Sequence, residues 1–78
     1  MRKGGYMKYN EILKEARKQS GMSQVNFATY FNLPRRTYQD WEYGKNPIPE
    51  YILRLMLYKL KMEGITEDLL LHLPDDTE

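Results

Sequence analysis

The chain has no cysteine and a single histidine, His72. The first absence excludes a disulfide scaffold, a thiol redox pair and a cysteine-based zinc site; the second excludes a histidine-rich metal cage. No apolar run approaches the roughly 20 residues that cross a bilayer. The basic start Met1-Arg2-Lys3 leads into Gly4-Gly5-Tyr6 and not into an apolar stretch, so neither a signal peptide nor a membrane anchor is expected. A glycine-rich phosphate loop is also missing, as is an acid–base pair beside a nucleophile, which argues against an enzyme. The 78 residues suffice for one small domain held by its apolar core alone. The expectation is a cytoplasmic, non-catalytic protein with no cofactor, no metal and no membrane partner.

What is present is first a division of charge. The total is nearly balanced, 12 Lys and Arg against 11 Asp and Glu. Residues 1–45, however, hold nine basic and four acidic side chains, and residues 46–78 hold three and seven. A polarity of this kind suggests a basic working face and an acidic remainder, although charge runs are more often plain solvated surface.

Helical periodicity follows. Tyr9, Ile12, Leu13 and Ala16 form an i, i+3, i+4, i+7 stripe that predicts a helix over 8–20, capped by Asn10 or a neighbour and closed at Ser20-Gly21. Ser23 offers an N-cap oxygen to a second helix, with Met22 placed to pack on Phe27. Phe27, Ala28 and Phe31 mark its buried side. Asn32 tolerates positive φ, and Pro34 suits the opening of a third helix because it has no N–H to leave unpaired. That helix runs from Pro34 or Arg35 to Tyr43 and is closed by Gly44. At 100° per residue Tyr38 and Trp41 share its inner face, Arg36 and Tyr43 point away, Gln39 and Asp40 flank them, and Arg35 sits at the boundary. Pro47 and Pro49 stiffen a loop before the longest helix, Glu50 to Met62. Nine of the twelve residues from Tyr51 to Met62 are apolar or aromatic, so this helix should be covered on more than one side. Thr66, followed by Glu67 and Asp68, can start a last short helix through Leu73, stopped by Pro74. The predicted class is all-α, a compact bundle of four to five helices over residues 8–73, between a flexible start (1–7) and a disordered acidic tail (74–78).

Residues 24–43 read as two short helices joined by a turn too tight for antiparallel packing, so the helices must cross steeply. Such a crossing needs a small residue at the close approach (Ala28), a left-handed residue in the turn (Asn32), an apolar plug (Leu33) and inward anchors (Phe27, Phe31, Tyr38, Trp41). With Gly21-Met22-Ser23-Gln24, Phe27-Ala28 and Trp41-Glu42-Tyr43-Gly44-Lys45 in register, residues 8–62 resemble the helix-turn-helix domains of the phage repressor and Cro type, the lambda-repressor-like XRE family. Two positions depart from that pattern: Asn32 stands where the family usually has glycine, and Pro34 where it often has a capping Ser or Thr. The core residues alone would fit any small helical bundle, so function rests on what the scaffold displays.

The resemblance implies a sequence-specific regulator of transcription, a repressor that binds double-stranded DNA with its third helix in the major groove. Arg35 and Arg36 are then the candidates for guanine O6 and N7, Gln39 for adenine, and Asp40 for a cytosine amino group or for orienting Arg36. Gln24, Thr37, Tyr43, Lys45 and Asn46 are the candidate phosphate contacts. Arg17 and Glu42 occupy positions of a structural ion pair. One helix reading a few bases cannot select a genomic site, so a homodimer is expected, with Leu57, Leu60, Leu69, Leu70 and Leu73 as its candidate interface. Two other uses of that surface stay open. Residues 69–73 can cover the fourth helix of their own chain, or the apolar surface of 51–73 can engage a protein partner, as an antitoxin engages its toxin, with DNA binding secondary.

Overall fold

The computed structural model describes residues 8–73. Its helices follow in the order α1 (Tyr9–Ser20), α2 (Gln24–Tyr30), α3 (Arg35–Tyr43) and α4 (Glu50–Met62), with a 3-10 turn at Leu69–His72. Among the described residues there is no strand, and no helix is long and apolar enough to cross a membrane. The start expected for 1–7, including Arg2 and Lys3, and the tail expected for 74–78 lie outside the described residues.

The stripe of α1 is the centre of the core: Ile12, Leu13 and Ala16 are fully buried, and the helix packs against α3, α4 and the 3-10 turn. Of the two cap alternatives, a neighbour of Asn10 takes the place. Asn10 lies inside the helix, and the N-cap is Lys8, whose N–H donates to the Glu11 carboxylate at 3.2 Å. A glutamate three residues on satisfies the orphan amide that a capping side chain would otherwise serve. Gly21 closes α1 at φ 75°, with its N–H on the Lys18 carbonyl at 3.2 Å. Ser23 caps α2 as its position predicts, its Oγ accepting the Asn26 N–H at 3.1 Å. Pro34 and Pro49, both near φ −60°, serve as the N-cap residues of α3 and α4.

Beneath the α2–α3 crossing, the Phe27 ring meets Phe31 and Tyr38 edge-on, with centroids 5.2 and 5.4 Å away. Tyr38 is fully buried, but Trp41, expected beside it, is only half-buried, and the second fully buried place on α3 goes to Glu42.

The C-terminal segment corrects two expectations. The cap is not Thr66, whose hydroxyl donates to the Glu67 carbonyl at 2.9 Å, but Asp68, whose carboxylate accepts the Leu70 N–H at 3.1 Å. Only four residues follow the cap, and they wind as a tight 3-10 turn. That turn folds back on α1 and α4, held by Gln19 to Glu67 and by Lys61 to Asp68 at 3.4 Å. In consequence Leu57, Leu60, Leu69 and Leu73, expected at a dimer interface, are at most 4% exposed and belong to the chain's own core, and Leu70 is half-buried. The apolar side chains that α4 leaves outside are Tyr51, Leu55, Tyr58 and Met62.

Candidate nucleic-acid interface

The turn between α2 and α3 sets the aim of the exposed helix. Asn32 sits at φ 59°, the one non-glycine positive φ among the described residues. The Leu33 N–H returns to the Ala28 carbonyl at 2.8 Å and the Asn32 N–H to Thr29 at 3.0 Å. A short polar side chain bears the left-handed conformation at lower cost than a β-branched or bulky one would. Leu33 is half-buried against the core, so the chain re-enters α3 at a fixed angle.

Five of the residues singled out from sequence join in one hydrogen-bonded network around Glu42, which is 1% exposed. Its Oε2 accepts Arg17 Nε at 2.8 Å and the Tyr38 hydroxyl at 3.2 Å, and its Oε1 accepts Gln24 Nε2. Gln24 Nε2 also donates to the Tyr43 hydroxyl at 3.1 Å, while Gln24 Oε1 accepts Gln39 Nε2 at 3.1 Å. Arg17 further donates to the Met22 carbonyl at 3.2 Å. Thus α1, the entry to α2, and α3 are pinned to one another through a single buried carboxylate. The bond to Glu42 raises the pKa of Arg17 against the opposing effect of burial, so this cation stays charged. Burial, with the Glu42 charge behind it, pushes the Tyr38 phenol well above its usual range and keeps it a neutral donor.

The network decides what Gln24 and Gln39 have left to offer. Both Gln24 N–H groups are engaged by Glu42 and Tyr43. Gln39 spends one N–H on Gln24, which fixes its amide plane and leaves its other N–H and its carbonyl oxygen, the pair a bidentate contact to adenine uses.

Asp40 is placed differently from the expectation that it orients Arg36. Its carboxylate accepts Asn46 Nδ2 at 3.3 Å, and its carbonyl accepts the Lys45 and Asn46 N–H groups at 2.9 and 3.2 Å, so it fastens the loop behind α3. Gly44 makes that return possible at φ 78°. The side chains of Arg35, Arg36 and Lys45 are exposed and make no hydrogen bond or ion pair with another described residue. Thr37 is half-buried and Tyr43 is 64% exposed. The result is one surface running from the start of α2 along α3 to Asn46, with exposed cations at its edges and hydrogen-bonded amides and a phenol between them. Sequence reasoning named each of these residues but missed the bonds among Gln24, Gln39, Tyr43 and Glu42. Partners 15 to 19 residues apart become neighbours only through the crossing angle.

Among the described residues no group of three or more His, Cys, Asp or Glu side chains could hold a metal ion. Searches of curated proteins and of solved structures return no significant match. Residues 13–58, more than half of the chain, match the model of a helix-turn-helix family that is one of DNA-binding regulators and not typically of enzymes. The chain therefore belongs to the XRE-type helix-turn-helix family and is a DNA-binding transcriptional regulator.

Proposed function

We propose that the protein is a repressor that reads the major groove of a specific operator with α3 and does so as a homodimer. The observation that carries this reading is the pair Arg35 and Arg36, exposed and without a partner among the described residues, at the first turn of a helix locked at both ends. A guanidinium held by no internal acid is free to fork onto guanine O6 and N7, and each good bidentate pair is worth about 1–3 kcal/mol of base discrimination. Arg36 faces directly away from the buried Tyr38 and is the principal base reader; Arg35, at the boundary, shares its charge with phosphate. Gln39 reads adenine through the half of its amide that Gln24 leaves open. Tyr43 and Thr37 present hydroxyls to one strand's backbone, Gln24 holds Tyr43 in place with side-chain N–H groups already spent on Glu42 and Tyr43, and Lys45 and Asn46 follow on the loop. Asp40 acts behind this surface as the tether of that loop.

Selection of bound sequences from a random duplex pool tests the reading. The expected result is an enriched motif with two-fold symmetry, whose preference relaxes at one position per half-site in Arg36→Ala. No enrichment at low salt, where binding is easiest to detect, overturns it.

A further inference from the structure

The outer face of α4 has no partner within the chain. Tyr51, Leu55, Tyr58 and Met62 are 68, 66, 52 and 63% exposed. At 100° per residue the four fall within an arc of roughly 60°. Single exposed apolar residues are ordinary, but four in one line form a patch that asks for a cover. Their spacing is four, three, four, the alternation of a coiled-coil seam and not of a helix lying on a broad core. It also reads the same in both directions. An antiparallel copy therefore meets it in register, Tyr51 beside Met62 and Leu55 beside Tyr58, so every layer sets one tyrosine against one smaller or more flexible side chain.

We propose that α4 docks on α4 of a second copy of this chain, antiparallel about a two-fold axis that passes between Leu55 and Tyr58. The proposal rests on the dimeric reading above and supplies its interface. Apolar grooves border the ridge on both sides, one of about 440 Å³ reaching Arg54 and Leu70 and one of about 200 Å³ reaching Phe31 and Leu33. Glu50 and Lys61 lie on the same flank at opposite ends of the ridge, each already paired within its own chain, Glu50 with Arg54 at 2.7 Å and Lys61 with Asp68 at 3.4 Å, so the apolar register and not charge sets the pairing. On the other flank Lys59 is held 4.7 Å from the Tyr30 ring centroid, facing away from the seam.

At about 200 Å² for a large apolar or aromatic residue, the four exposed fractions offer roughly 500 Å² per copy and about 1,000 Å² for the pair, the lower bound of a specific interface. The dimer is therefore weak when free and is completed on DNA. The ridge also stands apart from the α2–α3 surface.

The test is sedimentation of the full chain across a micromolar series, free and on a selected duplex, for wild type and Leu55→Glu. Wild type should dimerise with concentration. Leu55→Glu, a change at an exposed position, should need about tenfold or more protein to do so, with unchanged helical circular dichroism. Because the chain has no cysteine, Leu55→Cys adds a direct readout: it should oxidise to a disulfide-linked dimer, and Val25→Cys, exposed on α2 away from the ridge, should not. A wild type that stays monomeric both free and on DNA overturns the dimeric reading and this seam together. A dimer that Leu55→Glu leaves intact, with Leu55→Cys cross-linking no better than Val25→Cys, overturns the seam alone.

Discussion

Glu42 shows how much one residue can organise. A carboxylate that is 1% exposed is costly unless its oxygens are satisfied, and here Arg17, Tyr38 and Gln24 all donate to it. Replacing Arg17 by Met leaves the charge buried without its cation and should lower stability by about 2–4 kcal/mol, somewhat under the fully buried range because Arg17 itself is 23% exposed. Glu42→Gln should cost less, since an amide keeps the shape and leaves Arg17 free to turn to water. Denaturant unfolding of both variants with an unchanged m-value checks the order. The two ends of this pair were legible through the family resemblance, whereas the place of Gln24 between them was not, because it depends on the α2–α3 crossing. A second residue-scale consequence concerns alkali. Burial, then the bond to Glu63, pushes the Tyr30 phenol up to about 12, and the bond to Glu50 raises Tyr9. A phenol that holds its proton more tightly when folded stabilises fully below its unfolded value near 10, and that contribution is lost as pH rises toward 12. Unfolding midpoints should therefore fall above pH 10, and Tyr30→Phe should flatten that fall. An equal slope in the variant would remove Tyr30 as its source.

At the scale of elements, helix ends were legible wherever the signal is local. Ser23, Gly21 and Gly44 each act through their own backbone or the next turn, so their roles can be read in place. The ends of the last segment were not, because four residues are too few for a 3.6-residue period to declare itself, and Asp68 competes with Thr66 for the cap. The surface of α4 was misread for a related reason: on a helix apolar nearly all round, periodicity cannot say which side the rest of the chain will take. Once the 3-10 turn claims the side of Leu57 and Leu60, the ridge from Tyr51 to Met62 is what remains outside. The end of α3 allows a sharper test. A Cβ at Gly44 would sit at φ 78° and 3.4 Å from Asn10 Nδ2, whereas one at Gly21 would meet nothing within 4 Å at φ 75°. Both Gly→Ala variants should lose about 1–2 kcal/mol to the left-handed conformation. Gly44→Ala should lose more, and it alone should weaken DNA binding, because it displaces the loop that the Asp40 carbonyl holds through Lys45 and Asn46. Thermal melts beside a duplex titration separate the two effects. Equal affinity loss in both variants would mean that stability, and not loop placement, is responsible.

For the whole molecule, the nearly balanced charge of 12 against 11 turns into a statement about how binding responds to salt. Only cations release counterions from DNA, so Thr37, Tyr43 and Asn46 can position phosphate without adding to the salt slope. In the proposed docking, Lys45 and one of Arg35 and Arg36 would go to phosphate, and the other arginine to a base. A dimer docked in this way neutralises about four phosphates, and the logarithm of its affinity should fall against the logarithm of salt with a slope of about −4. Lys45→Ala removes one contact per copy, which should bring the slope to about −2 and weaken every duplex alike. Arg36→Ala should instead narrow the gap between operator and random sequence. The excess of acid in residues 46–78 works in the same direction, because a docking face backed by negative charge gains little from bulk attraction and depends on contacts made in register. Titrations of operator and scrambled duplex over 50 to 200 mM salt, at protein concentrations below and above that of dimerisation, would measure all three quantities. A slope near −8 that Lys45→Ala does not change would mean that cations outside this surface, and not the α2–α3 face, hold the DNA.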